Sequence, residues 1–141
     1  MIDSKGNPYK LATGPTDWSV GDKKAWTYYA GNIAGGGSAI TITVTLPGVP
    51  TASDIYAAEY SGIAPQAPLD QFSAGTGNSA TPDSGSKTPT QATELICGFG
   101  MTTGAATVNP PCTARNTFEN NSSQTRPFRL QDPAMSPAHR E

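Results

Sequence analysis

Residues 39–46 constrain the fold of this chain more than any other part of its sequence. Aliphatic residues and threonines alternate through this segment. Since successive side chains of an extended strand point to opposite faces, a period of two separates the two residue types onto different faces. The segment is therefore predicted to be a half-buried β-strand. Its aliphatic face consists of Ile40, Ile42, Val44 and Leu46, and its polar face consists of Thr41, Thr43 and Thr45.

The composition of the whole chain favours short strands joined by turns. Its 141 residues include 15 glycines and 13 prolines, and 35% are hydrophobic. Thr, Val, Ile, Tyr and Trp favour strands, whereas Gly, Pro, Asn and Asp favour turns. We therefore predict an all-β fold, an antiparallel β-sandwich of the jelly-roll or immunoglobulin-like type. The other predicted strands are residues 9–12, 24–30, 53–60 and 94–101, and residues 13–22 are predicted to be a loop.

A change in composition near Asn109 sets the predicted domain boundary. Two prolines follow this residue, and beyond them large apolar residues are few. Neither a strand period nor a helical period stands out in this part of the sequence. We predict a β-sandwich domain over residues 1–108 and a proline-rich, irregular C-terminal extension over residues 109–141. The extension is expected to pack on the domain or on a neighbour.

Charge and hydropathy exclude several classes of partner. The formal net charge is -2, and the longest cluster among the nine basic residues is the pair Lys23 and Lys24. Such a sequence lacks the basic patch of a nucleic-acid-binding protein. Its apolar runs are shorter than a membrane span. The N-terminus turns polar at Asp3, so the chain shows no signal peptide.

The two cysteines and the single histidine do not form a metal-ligating pattern. Cys97 lies in an apolar run and is expected to be a small buried hydrophobic residue; a disulfide between Cys97 and Cys112 is the alternative. Two thiols and His139 do not provide an ordinary zinc site. The sequence therefore predicts neither a metal nor another cofactor.

Glu59 and Asp70 form the best candidate for a catalytic carboxylate pair. Glycoside hydrolysis needs two carboxyl groups on either side of the scissile bond, and these two would meet if the chain between them folds back. The structural interpretation makes Glu59 a polar strand residue and Asp70 a turn residue, and we favour it. Because His139 lies near the terminus and no nucleophile elbow is present, a Ser-His-Asp triad is not predicted.

Aromatic residues provide the candidate ligand-binding site. Aromatic side chains stack on the apolar faces of sugars, but they also fill the core of a small sandwich. The adjacent residues Tyr28 and Tyr29 point to opposite faces of a strand, so one of the two is expected to be exposed. Trp18, in the predicted loop, is the tryptophan expected to be exposed. We predict that Trp18, together with Tyr28 or Tyr29, contacts the ligand.

Six segments, in the same order and with similar spacing, resemble a family of secreted bacterial β-sandwich domains from large multidomain extracellular proteins. The resemblance covers residues 3–103 and implies a jelly-roll or lectin-like sandwich without an assigned catalytic role. The matching segments are DSKGNPYKL at 3–11, YYAGNIAGG at 28–36, TITVT at 41–45, EYSG at 59–62, PLD at 68–70 and GNSA at 77–80.

The resemblance also implies that this module is truncated at both ends. Members of the family begin one or two strands earlier, and they end in further strands where this chain has its proline-rich extension. A truncated or frame-shifted reading of environmental DNA would explain both differences. Sheet edges left open in this way are expected to be capped by the extension or by a second copy of the chain, which predicts a homo-oligomer.

These observations leave three functions open. The first is a non-catalytic binding or adhesion module, secreted or on the cell surface, with carbohydrate as its partner. The second is a small glycoside hydrolase that uses Glu59 and Asp70. The third is a structural or assembly role, in which the threonine face of residues 39–46 pairs with another sheet, with ice or with a crystalline polymer.

Overall fold

The computed structural model describes residues 1–18, 22–35, 38–51, 53–102, 107, 110 and 112, together with the backbone of residues 126–131. These residues form strands and turns, with no helix, so the all-β prediction is confirmed and the sandwich arrangement stays a prediction. Among these described residues, no helix is long and apolar enough to cross a membrane. The strands are β1 (Ile2–Asp3), β2 (Lys10–Trp18), β3 (Lys23–Tyr29), β4 (Ile42–Thr43), β5 (Cys97–Thr102) and β6 (Arg126–Gln131).

The strands form three antiparallel pairs, β1 with β4, β2 with β3, and β5 with β6. The chain divides into two compact units, residues 1–88 and residues 89–141. The first unit contains the first two pairs and the second contains β5 and β6. The predicted boundary after residue 108 lies inside the second unit, and it stays a prediction.

The largest paired element is the hairpin of β2 and β3. Its register aligns Leu11 with Tyr28 and Trp18 with Lys23, and it shifts twice between Leu11 and Thr16. At each shift, β2 contains one residue more than the part of β3 that it pairs with, so β2 has nine residues and β3 has seven. Gly and Pro within strands are typical of bulges, and the second shift contains Gly14 and Pro15. The predicted loop over residues 13–22 is therefore wrong for residues 13–18, which continue β2.

The predicted alternation of residues 40–46 holds through residue 45 and fails at Leu46, which is 38% exposed. Ile40, Ile42 and Val44 are partly buried, whereas the three threonines between and after them are exposed. Strand pairing is shorter than predicted, because only residues 42 and 43 join a ladder, opposite β1. The predicted strand over residues 53–60 is wrong, since its described residues form no strand.

A polar network at the N-terminus is the most enclosed part of the described structure. Asp3 and Asn7 are buried, each 8% exposed, and no hydrophobic side chain among the described residues is buried. The Asp3 carboxylate accepts hydrogen bonds from the backbone N–H groups of Lys5 (2.9 Å) and Asn7 (3.0 Å). It also accepts bonds from Asn7 Nδ2 (2.8 Å) and the Tyr9 hydroxyl (3.0 Å). Asn7 Oδ1 then accepts the backbone N–H of Ala34 at 2.7 Å, which ties β1 to the chain that follows β3.

The pKa of Asp3 makes this network sensitive to acid. Desolvation raises the pKa, but the hydrogen bonds from Asn7, Lys5 and Tyr9 lower it by more, from 3.8 to about 2. A carboxyl group whose pKa is lower in the folded state stabilises the fold above its unfolded pKa, and this contribution is lost as the pH falls towards the folded pKa.

We therefore expect the free energy of unfolding to fall as the pH is lowered from about 4 to about 2. Urea titrations followed by tryptophan fluorescence at several pH values in this range measure the change. In Asp3→Asn this part of the pH dependence should disappear, whereas the exposed control Asp54→Asn should retain it. An unchanged acid dependence in Asp3→Asn would contradict the assignment.

The second unit pairs β5 with a strand of the C-terminal extension. Its register runs from Cys97 opposite Gln131 to Thr102 opposite Arg126. Residues 126–131 are thus not irregular as predicted, although residues 103–106 and most of residues 108–125 lie outside the described part of the chain. Cys97 is exposed, which corrects its predicted burial, and neither Cys97 nor Cys112 is in a disulfide. An apolar neighbourhood in sequence does not bury a strand residue unless another layer covers its face.

Candidate functional site

The β2–β3 hairpin has two faces of different character. Lys24, Trp26 and Tyr28 alternate along β3 and therefore share one face. Leu11 joins them, because it is aligned with Tyr28 across the ladder. We call these residues, with Asp17 opposite Lys24, the outer face.

The outer face is open to solvent and rich in apolar surface. The exposed fractions are 44% for Trp26, 41% for Tyr28 and 50% for Leu11. Positions two apart in a strand are separated by about 6.6 Å, so the two aromatic side chains are neighbours along β3. Apolar side chains grouped on an exposed face are typical of an interaction site.

Trp26 is positioned by the glycine that faces it. A Cβ atom added to Gly14 would lie 2.8 Å from Trp26 Cδ1, 2.9 Å from Trp26 Cα and 2.8 Å from the carbonyl oxygen of Ala25. Gly14 has φ +128, a backbone conformation that residues with a side chain rarely adopt. The absence of a side chain at Gly14 therefore lets the indole lie against the backbone of β2.

An ion pair lies at one end of the outer face. Lys24 Nζ donates to Asp17 Oδ1 at 2.5 Å, and both side chains are largely exposed. The hydrogen bond and the charge of Asp17 raise the pKa of Lys24. An exposed pair of this kind adds little to stability. Its donors and acceptors remain accessible to a polar ligand beside the aromatic rings.

The opposite, inner face of the hairpin carries the other two predicted binding residues. Trp18 and Tyr29 are partly buried there. Lys23 Nζ lies 4.9 Å from the centroid of the Trp18 ring, a cation–π contact across the ladder. The three predicted ligand contacts are thus divided, with Tyr28 on the outer face and Trp18 and Tyr29 on the inner face.

Sequence reasoning missed Trp26 and Leu11 as members of the candidate site. A signal was available, since Trp26 and Tyr28 are two residues apart in a predicted strand and must share a face. Trp18 was chosen instead because Gly14 and Pro15 suggested a loop. Leu11 could not be found in this way, because its alignment with Tyr28 depends on the register of the hairpin.

Glu59 and Asp70 lie in the first unit, in a region without strands, and both are exposed. Desolvation, the hydrogen bond to Asp3, and the charges of Asp3 and Glu59 raise the pKa of the Tyr9 hydroxyl, so the Glu59 carboxylate acts on Tyr9 electrostatically. General acids of glycosidases are kept protonated by apolar surroundings. The exposure of both side chains favours their structural interpretation, and the hydrolase stays a prediction.

Two further findings bear on function. Within the described ranges, no group of three or more His, Cys, Asp or Glu residues is arranged to hold a metal ion. Comparisons with protein-family models, with curated proteins and with solved structures found no match. The exposed face of the β2–β3 hairpin is therefore the feature of the described structure that points to a function.

Proposed function

We propose that this chain is a non-catalytic binding module of a secreted or cell-surface protein, and that it binds carbohydrate on the outer face. The observation that supports the proposal most directly is the exposure of Trp26 and Tyr28 on one face of the hairpin. Membership of the secreted bacterial β-sandwich domains that six segments of the sequence resemble would be in keeping with this role.

Carbohydrate fits the chemistry of the outer face better than a purely apolar partner. A pyranose ring presents C–H groups on its faces and hydroxyl groups around its edge. Aromatic side chains provide a flat apolar contact for the ring faces. Asp17 and Lys24, at the end of the same face, provide an acceptor and a donor for hydroxyl groups. An extended saccharide lying along β3 would contact both kinds of group.

Replacing Trp26 should remove most of the binding. We expect Trp26→Ala to weaken the affinity about tenfold or more, because aromatic residues at the centre of a contact contribute a large part of its energy. A glycan array with the full chain identifies the ligand, and isothermal titration with that glycan measures the affinity. Tyr28→Ala should weaken binding in the same direction.

The matched control is Trp18→Ala, which removes an indole from the inner face of the same hairpin. Its glycan binding should equal that of the unmodified chain. Circular dichroism melting of all variants separates lost binding from lost folding. Binding to no glycan, or affinity that survives Trp26→Ala and Tyr28→Ala combined, would exclude the outer face as the site.

A further inference from the structure

Residues 73–85 form a closed loop on the first unit. The Ser73 hydroxyl donates a hydrogen bond to the carbonyl oxygen of Ser84. A Cβ atom on Gly75 would lie 2.9 Å from the carbonyl oxygen of Asp83, so the two ends of the loop run against each other. Loops of this length with adjoining ends are compact surface features that are frequently functional. The closure presents the residues between the two ends to solvent.

The loop and the residues after it are rich in exposed hydroxyl groups. Every residue from 74 to 88 is exposed. Six of these fifteen residues are serine or threonine, and two of the six are followed by proline. Serine- and threonine-rich segments that contain proline are typical of O-glycosylated regions. The two threonines that precede proline are Thr81 and Thr88.

We propose that Thr81 and Thr88 are acceptor sites for O-glycosylation by a separate glycosyltransferase. A transferase must bind the acceptor segment in its own active site, which favours exposed backbone outside a sheet. A following proline restricts each threonine to an extended conformation. Both residues therefore present a hydroxyl group from backbone that is already extended.

The hydrogen bonds around Thr81 are local and leave it accessible. Its backbone N–H donates to Ser79 Oγ at 3.0 Å, and the two hydroxyl oxygens are 3.1 Å apart. Both residues are exposed. Between residues 74 and 88 the only basic residue is Lys87. A phosphate group would find no arginine there to pair with, so the composition favours a neutral sugar over a phosphate.

In the proposed reaction, a nucleotide sugar donates its glycosyl group to the threonine hydroxyl. The threonine Oγ1 attacks the anomeric carbon of the sugar, and a C1–Oγ1 bond forms. The bond between C1 and the diphosphate oxygen breaks, and the nucleoside diphosphate leaves with the bonding electrons. The hydroxyl proton passes to the leaving diphosphate. No residue of this chain takes part in the reaction except the acceptor threonine.

The test uses the full chain, a polypeptide N-acetylgalactosaminyltransferase and UDP-N-acetylgalactosamine. Electron-transfer mass spectrometry then locates the added sugar. We expect occupancy of Thr81 and Thr88 to be about tenfold or more above that of Thr43, which is exposed but held in β4. Thr81→Val combined with Thr88→Val should remove most of the label, and the control Thr43→Val should leave it unchanged.

A second pair of substitutions tests the role of proline. Pro82→Ala combined with Pro89→Ala keeps both hydroxyl groups and should lower their occupancy, because the threonines are no longer held extended. Equal labelling of Thr43, or no sugar on either Thr81 or Thr88, would overturn the proposal. These outcomes do not depend on Trp26, so the binding function is tested separately.

Discussion

Gly14→Ala is expected to lower the free energy of unfolding of the first unit by about 3 kcal/mol or more, since overpacking and forbidden backbone conformations each cost 1–3 kcal/mol. The new Cβ would lie within 3 Å of Ala25 and Trp26 backbone atoms, which cannot rotate away. The φ of +128 at Gly14 adds strain. Both tryptophans of the chain lie in this hairpin, so urea unfolding followed by their fluorescence reports on it.

The matched control is Gly48→Ala, at an exposed glycine where an added Cβ would meet nothing within 4 Å. That variant should unfold at the same urea concentration as the unmodified chain. Gly14→Ala should also weaken glycan binding, because it displaces the Trp26 indole. If Gly14→Ala were as stable as Gly48→Ala, the described packing of Trp26 on β2 would be wrong.

The second large effect is expected for Asn7→Ala, which should lower the free energy of unfolding by about 2–4 kcal/mol, because a hydrogen bond to a charged group contributes about 1.5–3 kcal/mol and a neutral one about 0.5–1.5 kcal/mol. The substitution removes the 2.8 Å bond from Asn7 Nδ2 to Asp3. It also removes the acceptor of the Ala34 N–H. Urea unfolding followed by fluorescence at pH 7 measures the loss.

Two further variants make this prediction specific. Asn78→Ala removes an amide from an exposed position and should change stability little. Asn7→Asp keeps the shape of the side chain but places a second carboxylate beside Asp3, and like charges at this distance repel. Its stability should therefore rise on mild acidification, as one of the two carboxyl groups becomes protonated. If the Asn7→Ala variant were as stable as the Asn78→Ala variant, the hydrogen-bond network of Asp3 and Asn7 would not be what stabilises the first unit.

The sequence predicted the direction of side chains in an extended segment better than the extent of strand pairing, since residues 53–60 form no strand and only residues 42 and 43 of the alternating segment join a ladder. Residues 40–45 have the predicted alternation of exposure, because side-chain direction in extended backbone depends on local geometry alone. Gly14 and Pro15 suggested a loop, yet β2 passes through them by means of bulges. The strand at residues 126–131 was missed although Phe128 and Leu130 are two apart, because its partner β5 is distant in sequence.

The sequence predicted that the candidate site would consist of aromatic residues, but it predicted only some of the residues that form it. The aromatic content of residues 24–30 pointed to the hairpin, and Tyr28 belongs to the outer face as well as to the predicted site. Trp18 and Tyr29 lie on the other face, because cross-strand register decides which residues are brought together. Neighbours in the sequence of a strand are therefore separated, while Leu11 becomes a neighbour of Tyr28.

The sequence by itself determined that this chain forms strands, and it determined which side chains of a strand share a face. Both follow from extended backbone geometry and from side-chain preference, which act over a few residues. Only the tertiary structure decided which face meets solvent and that, among the residues it describes, Asp3 and Asn7 rather than an aliphatic cluster are the most buried. Burial depends on what lies against a face, and that partner comes from distant parts of the chain.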